Sequence, residues 1–315
     1  MNSRRRVLVT GAGGFIGRWS IEPLLELNYE VHAVLAAPRS MEHLRGATVH
    51  VADLLSEPDI DALLSRAAPT HLLHFAWIAT PGVYWQSAEN YLWAAAGEYL
   101  LHRFHAHGGT RAVMAGSCVE YDWSKVSVCE ERKSPLADGG VAPLSPYAAG
   151  KLALQRAAAA FSSREQLSAA WGRIFFQYGP YEHPERLVAS VIRHLLTDQP
   201  ALCSHGRQVR SFLHVADVGA AFVRLLDSEV QGPVNIGSDE RTSLAAMIQG
   251  IARLIGRPEL VRLDARSAPA GEPPILIPDV HRLRDELHWQ PRFTLDEGLA
   301  DAIAWWRNRL DLSPP

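Results

Sequence analysis

Cysteine is scarce in this chain of 315 residues. Cys118, Cys129 and Cys203 lie too far apart to make a C-x-x-C pair or, with histidine, a zinc spacing, so a reducing, cytoplasmic setting is expected. The 14 histidines contain no H-x-x-x-H or H-E-x-x-H spacing, and no metal site is expected. No apolar run reaches the roughly 18 residues of a membrane span, which argues against a membrane partner. Net charge is small, -3 from 31 basic and 34 acidic side chains, and supplies no field for nucleic acid or an anionic surface. The short run Arg4 to Arg6 precedes an apolar strand and reads as a solvated terminus. Internal repeats and low-complexity segments are also missing.

What is present is an ordinary globular composition, 47% hydrophobic and 21% charged, on a chain long enough to bury a large core without disulfides or metals. Short β-branched runs alternate with helical patterns through the first half. Strands are expected at Val7–Thr10, Glu30–Leu35, Thr48–Val51, His71–Phe75 and Ala112–Ala115, and helices at Ile16–Leu27, Ile60–Ala67 and about Ala88–His107. This rhythm predicts an α/β fold with a doubly wound parallel sheet. Beyond Pro180 frequent prolines punctuate shorter elements, which predicts a smaller C-terminal α/β cap. Residues 1–175 are expected to form the dinucleotide-binding domain and 176–315 mainly the cap, with about 211–237 returning to the main sheet.

Gly11, Gly14 and Gly17 follow the first strand with G-x-x-G-x-x-G spacing and lead into a helix through Phe15 and Ile16. Glycine permits the turn and the close approach of backbone to a pyrophosphate, and free N–H groups at a helix start favour the anion. A ribose-binding acid would stand at the end of the second strand, but that end reads Leu35-Ala36-Ala37-Pro38-Arg39. Arg39 suits a 2′-phosphate, which favours NADP(H) over NAD, while a loop arginine would look the same. Asp53 is placed either for the adenine amino group or for capping the next helix.

Tyr147 and Lys151, four residues apart at the start of an alanine-rich helical run, share one helical face. An ammonium beside a phenol favours the phenolate and so fits it for proton transfer. Ser117 ends the strand Ala112–Ser117 and would present a hydroxyl at the carboxyl edge of the sheet, where such folds bind ligands.

In this order the features resemble the extended short-chain dehydrogenase/reductases that act on nucleotide sugars. Thr10 to Gly17 is similar to T-G-x-x-G-x-x-G, Asp53-Leu54 to the adenine-side D-L, His74-Phe75-Ala76-Trp77 to H-x-A-A, and Asn90 to the Asn of N-x-x-G-T. Ala115 to Tyr121 resembles S-S-S-x-x-V-Y-G, Arg173 to Pro180 resembles R-x-F-N-V-Y-G-P, Arg210 to Val218 resembles R-D-F-I-H-V-x-D-V, and Asn235-Ile236-Gly237 resembles N-I-G. The resemblance implies Ser117, Tyr147 and Lys151 as the catalytic triad. Gly11, Gly14, Phe15, Ile16, Gly17, Asp53, Leu54, Phe75, Ala76, Trp77, Asn90, Tyr147 and Lys151, with Arg39, would contact the cofactor. Trp77, Ser117, Tyr147, Phe176 and Arg210 would face a nucleotide-sugar substrate, and a homodimer is implied.

Two departures stand out. Phe176 replaces an Asn that helps hold the diphosphate, leaving Arg210 as the expected partner, and Trp77 replaces a small alanine. Dehydratases resemble one another in carrying Asp-Glu after the catalytic hydroxyl, where this chain has Cys118-Val119. The expected reaction is therefore NADPH-dependent reduction of a nucleotide-linked 4-keto-6-deoxyhexose. An epimerase holding NAD tightly is the alternative, and a non-catalytic dinucleotide sensor a third reading. Glu120, Tyr121, Asp122 and Trp123 are further candidates for the pocket wall.

Overall fold

The computed structural model describes residues 5–39, 41–139, 144–268 and 271–311. Seven strands form the central sheet: β1 (Arg6–Thr10), β2 (Glu30–Leu35), β3 (Thr48–Val51), β4 (His71–His74), β5 (Arg111–Ser117), β6 (Ser168–Ile174) and β7 (Gly232–Ile236). Their spatial order is β7-β6-β5-β4-β1-β2-β3 and every pairing is parallel. Strands covered on both faces read as continuous apolar runs, and Val7, Leu8, Val9, Leu72, Leu73, Ala112 and Val113 are closed to solvent. The order reverses between β1 and β4, so the crevice above their carboxyl ends is where this architecture takes ligands.

Helices α1 (Ile21–Glu26), α2 (Glu57–Ala67), α3 (Glu89–Ala106) and α4 (Pro146–Glu165) connect the first six strands. The single helix expected over Ile16–Leu27 is divided, with a 3-10 turn at Gly17–Ser20 before α1. The tight turn is a consequence of packing, because Gly17 lies so close to Gly11 that an added Cβ would stand 2.3 Å from the Gly11 carbonyl oxygen. Ser145 caps α4 by accepting a hydrogen bond from the Ala148 N–H, and Pro146 suits the first turn, where its missing N–H costs nothing.

In the second half come α5 (Leu187–Leu196), α6 (Val215–Leu226), α7 (Leu244–Ile255) and α8 (Leu295–Arg309). α6 packs its apolar side into the core beneath β1, β4 and β5, while α5, α7 and α8 bury Val191, Ile192, Met247, Ile251, Leu299 and Ile303 against one another. Phe212–His214, expected with the main sheet, instead pairs in parallel with Phe176–Tyr178. Val128–Cys129, from the range expected to be wholly dinucleotide-binding, joins a small sheet with Ile275–Pro278 and Val209–Arg210. The chain thus crosses between the two parts more often than its proline distribution suggests.

Candidate active site

Gly11 has φ +68, and a Cβ there would lie 2.9 Å from the Ala76 amide nitrogen and 3.0 Å from the Phe75 carbonyl carbon. The Gly14 N–H donates to the Gly11 carbonyl at 2.9 Å, which closes the turn. Backbone therefore lines a cradle that any side chain at these glycines would fill, and it opens beside Phe15 and Ile16 at the start of the first helical turn. Residues of this kind fit a dinucleotide pyrophosphate. Thr10 Oγ1 hydrogen-bonds His74 Nδ1 at 2.8 Å and accepts from the Ala76 N–H at 3.2 Å, so the end of β4 is tied to the end of β1. The Phe75 ring meets Phe222 edge-on at 4.8 Å.

At the adenosine side, Ala36, Ala37, Pro38 and Arg39 are exposed beyond β2. Asp53 is exposed as well, and its carboxylate accepts from the Leu55 N–H at 2.9 Å; the cap of α2 is Ser56, not Asp53. Leu54 is buried in the core and supports this corner from below.

β5 and the first turn of α4 bring three of the expected groups together. The Ser117 hydroxyl stands near enough to the Tyr147 phenol to favour its ionised form, and the Lys151 ammonium, one helical turn from Tyr147, donates to the Ala115 carbonyl at 2.9 Å. Burial pushes the Tyr147 phenol above its ordinary pKa, opposed by the neighbouring Ser117 hydroxyl. Burial lowers Lys151 to about 7, opposed by the charge of Glu120. The ammonium is directed at a backbone carbonyl.

Trp77 accounts for that placement. Its ring lies 3.7 Å from the Lys151 ammonium, a cation–π contact, and its indole N–H donates to Asn90 Oδ1 at 2.8 Å. Asn90, expected among the cofactor contacts, is closed to solvent and donates to the Tyr84 and Ser87 carbonyls at 2.6 and 2.7 Å. Both its donors are occupied, so Asn90 acts on the site through Trp77 and the 84–87 turn.

Glu120 and Tyr121, candidates for the pocket wall, are buried instead. The Glu120 carboxylate accepts from the Ser117 N–H at 2.7 Å, from the Trp171 indole at 3.0 Å and from Arg173 Nε at 2.7 Å. The Arg173 guanidinium also donates to the Tyr121 hydroxyl, which donates to Asn235 Oδ1 at 2.7 Å. This buried chain anchors the strand end that carries Ser117. Sequence spacing gives no sign of it.

On the cap side, Arg210 lies 5.2 Å from the Phe176 ring and is almost wholly buried. It donates to the Val209 carbonyl and approaches Glu272 at 3.5 Å. The two expected substrate residues are therefore neighbours.

A parallel sheet with a glycine cradle at its switch point and a hydroxyl, a phenol and an ammonium at the next strand end defines an extended short-chain dehydrogenase/reductase. More narrowly, residues 7–237 match the model of the NAD dependent epimerase/dehydratase family, and the chain belongs to that family. It is 26% identical to UDP-glucuronic acid decarboxylase 1 of Xenopus tropicalis over 98% of this chain and 73% of that protein. The solved UDP-glucose 4-epimerase of Thermotoga maritima, bound to UDP-glucose, superposes with a TM-score of 0.85 at 21% identity, covering 97% of this chain and 99% of the other. MoeE5 in complex with UDP-glucuronic acid and NAD superposes with a TM-score of 0.81 at 29% identity, covering 96% and 99%. Among the described residues no helix is long and apolar enough to cross a membrane.

Proposed function

We propose that this protein reduces the 4-keto group of a nucleotide-linked 6-deoxyhexose, with NADP(H) as the preferred dinucleotide. The observation that carries the reading is the character of the two residues after Ser117. Cys118 and Val119 stand where an elimination would need acid and base; both are buried, and burial pushes the Cys118 thiol up to about 12. With no proton shuttle there, the chemistry narrows to hydride exchange at one carbon. The exposed, carboxylate-free end of β2 supports NADP(H), and Arg39 is the residue proposed to meet the 2′-phosphate.

The glycine cradle, Phe75, Ala76 and Lys151 would hold the dinucleotide, with Asp53 and Leu54 at its adenine end. Bound there, the nicotinamide supplies hydride. Tyr147 delivers a proton to the keto oxygen, and Ser117 donates a hydrogen bond to that oxygen as negative charge develops on it. Lys151 holds a positive charge behind the pair, and Arg210 and Phe176 border the diphosphate. Purified protein given NADPH and a nucleotide-linked 4-keto-6-deoxyhexose is expected to consume nicotinamide absorbance, and Tyr147→Phe to slow turnover by about 10²–10⁴-fold.

A nucleotide-sugar epimerase with retained NAD is the second reading, favoured by the NAD held in the complex of MoeE5. NAD that stays with the protein through gel filtration supports the epimerase, and a cofactor-free protein that turns over added NADPH supports the reductase. For the homodimer, Tyr91 and Leu92 offer an exposed apolar pair on α3, and light scattering tests it.

A further inference from the structure

The Tyr147 phenol is walled by rings that the reaction itself does not use. Tyr84 meets Tyr147 edge-on, with centroids 4.9 Å apart and planes at 89°. Trp85 lies 5.7 Å from it and 6.0 Å from Tyr84, and Trp123 continues the wall at 6.3 Å from Trp85, tilted by 36°. The wall is fixed at both ends. The Trp123 indole donates to the Cys118 carbonyl at 2.8 Å, directly after Ser117, and the turn carrying Tyr84 and Trp85 is held from below by buried Asn90. Trp85 and Trp123 are nevertheless partly open to solvent. They are rigid, apolar and accessible beside the reacting hydroxyls.

A sugar whose C4 oxygen reaches Ser117 and Tyr147 places the substituents of C3 and C5 on the border of that pair. Among the described residues, Tyr84, Trp85 and Cys118 neighbour the phenol and Trp123 stands beyond Trp85, none of them charged. Arg210, whose charge reaches Cys118, already faces the Val209 carbonyl and Glu272. Lys151 is turned to the Ala115 carbonyl under the Trp77 ring. Ring faces are electron-rich; they attract C–H groups and repel anions, and a carboxylate taken from water onto them meets no charged partner.

We infer that Trp85 and Trp123 are specificity-determining residues that admit a sugar with an uncharged C5 substituent, methyl or hydroxymethyl, and reject the uronic acid. This rests on the nucleotide-sugar reading and narrows it.

The test is calorimetric binding to the full chain saturated with NADP, using matched glucose and glucuronate forms of UDP, dTDP and GDP. On whichever base binds, the glucose form is expected to be held at least about tenfold more tightly than the glucuronate, the unpaired carboxylate being the cause. Trp85→Ala and Trp123→Ala are expected to bring that ratio toward one, while Trp123→Phe, which keeps a ring, preserves it. Equal or tighter binding of the glucuronate to the wild-type protein overturns the inference and leaves the nucleotide-sugar reading standing. Binding of NADP without binding of any of these nucleotide sugars overturns both.

Discussion

Lys151 carries the sharpest consequence of a single side chain. Its pKa is lowered by burial to about 7, so its charge is present below that pH and lost above it. The proposed reduction would need the ammonium, and kcat/KM for the keto sugar should then fall by about tenfold per unit as pH rises through that value. A rate profile from about pH 6 to about pH 9 checks this, and a flat profile there would refute it. In Lys151→Arg, where the charge cannot be lost, the residual rate should show no such fall. The positions of Ser117 at a strand end and of Tyr147 and Lys151 one helical turn apart were legible in the sequence because these are local matters. Trp77 over Lys151 was not: the contact joins the end of β4 to α4, and no linear pattern records it. Asn90 was expected at the cofactor for its place in a motif, yet its three hydrogen bonds turn it inward.

Among the elements, α4 sets the phenol in place, since Tyr147 sits in its first turn directly after the Ser145 cap and Pro146. Ser145→Ala removes the acceptor for the Ala148 N–H and should cost about 1 kcal/mol, read as a lower melting temperature. Because the loosened turn carries Tyr147, kcat should fall more than KM changes; an unaltered kcat in a destabilised protein would detach the cap from catalysis. Strands β2 and β3 fall on the residues their β-branched runs indicate. The helix over Ile16–Leu27 did not, because apolar periodicity reports which side faces the core and not how tightly the backbone must coil beside Gly11.

Across the whole molecule, the two parts are joined more tightly than composition suggests. Asn235 in β7 receives the Tyr121 hydroxyl, donates its backbone N–H to Glu131 at 2.9 Å, and donates its side chain to the Cys129 carbonyl at 2.7 Å. Cap sheet, central sheet and the anchor of Ser117 therefore meet at one residue. Prolines marked where elements end in the second half, but pairings such as Phe212–His214 with Phe176–Tyr178 depend on distant chain and left no local trace. A chain ending before residue 232 lacks β7 and bares the outer edge of β6. Such a fragment is expected to collect in the insoluble fraction on expression, and a soluble, monomeric fragment that binds the dinucleotide would count against this dependence.

The same late strand sets a clock on biosynthesis. Ile174 pairs with Ile236, and at 5–20 residues per second a ribosome takes roughly 3 to 12 s to deliver the second after the first. For that interval the nascent protein carries an open ladder of amides and carbonyls, and a chaperone that shields it would raise the yield of finished enzyme.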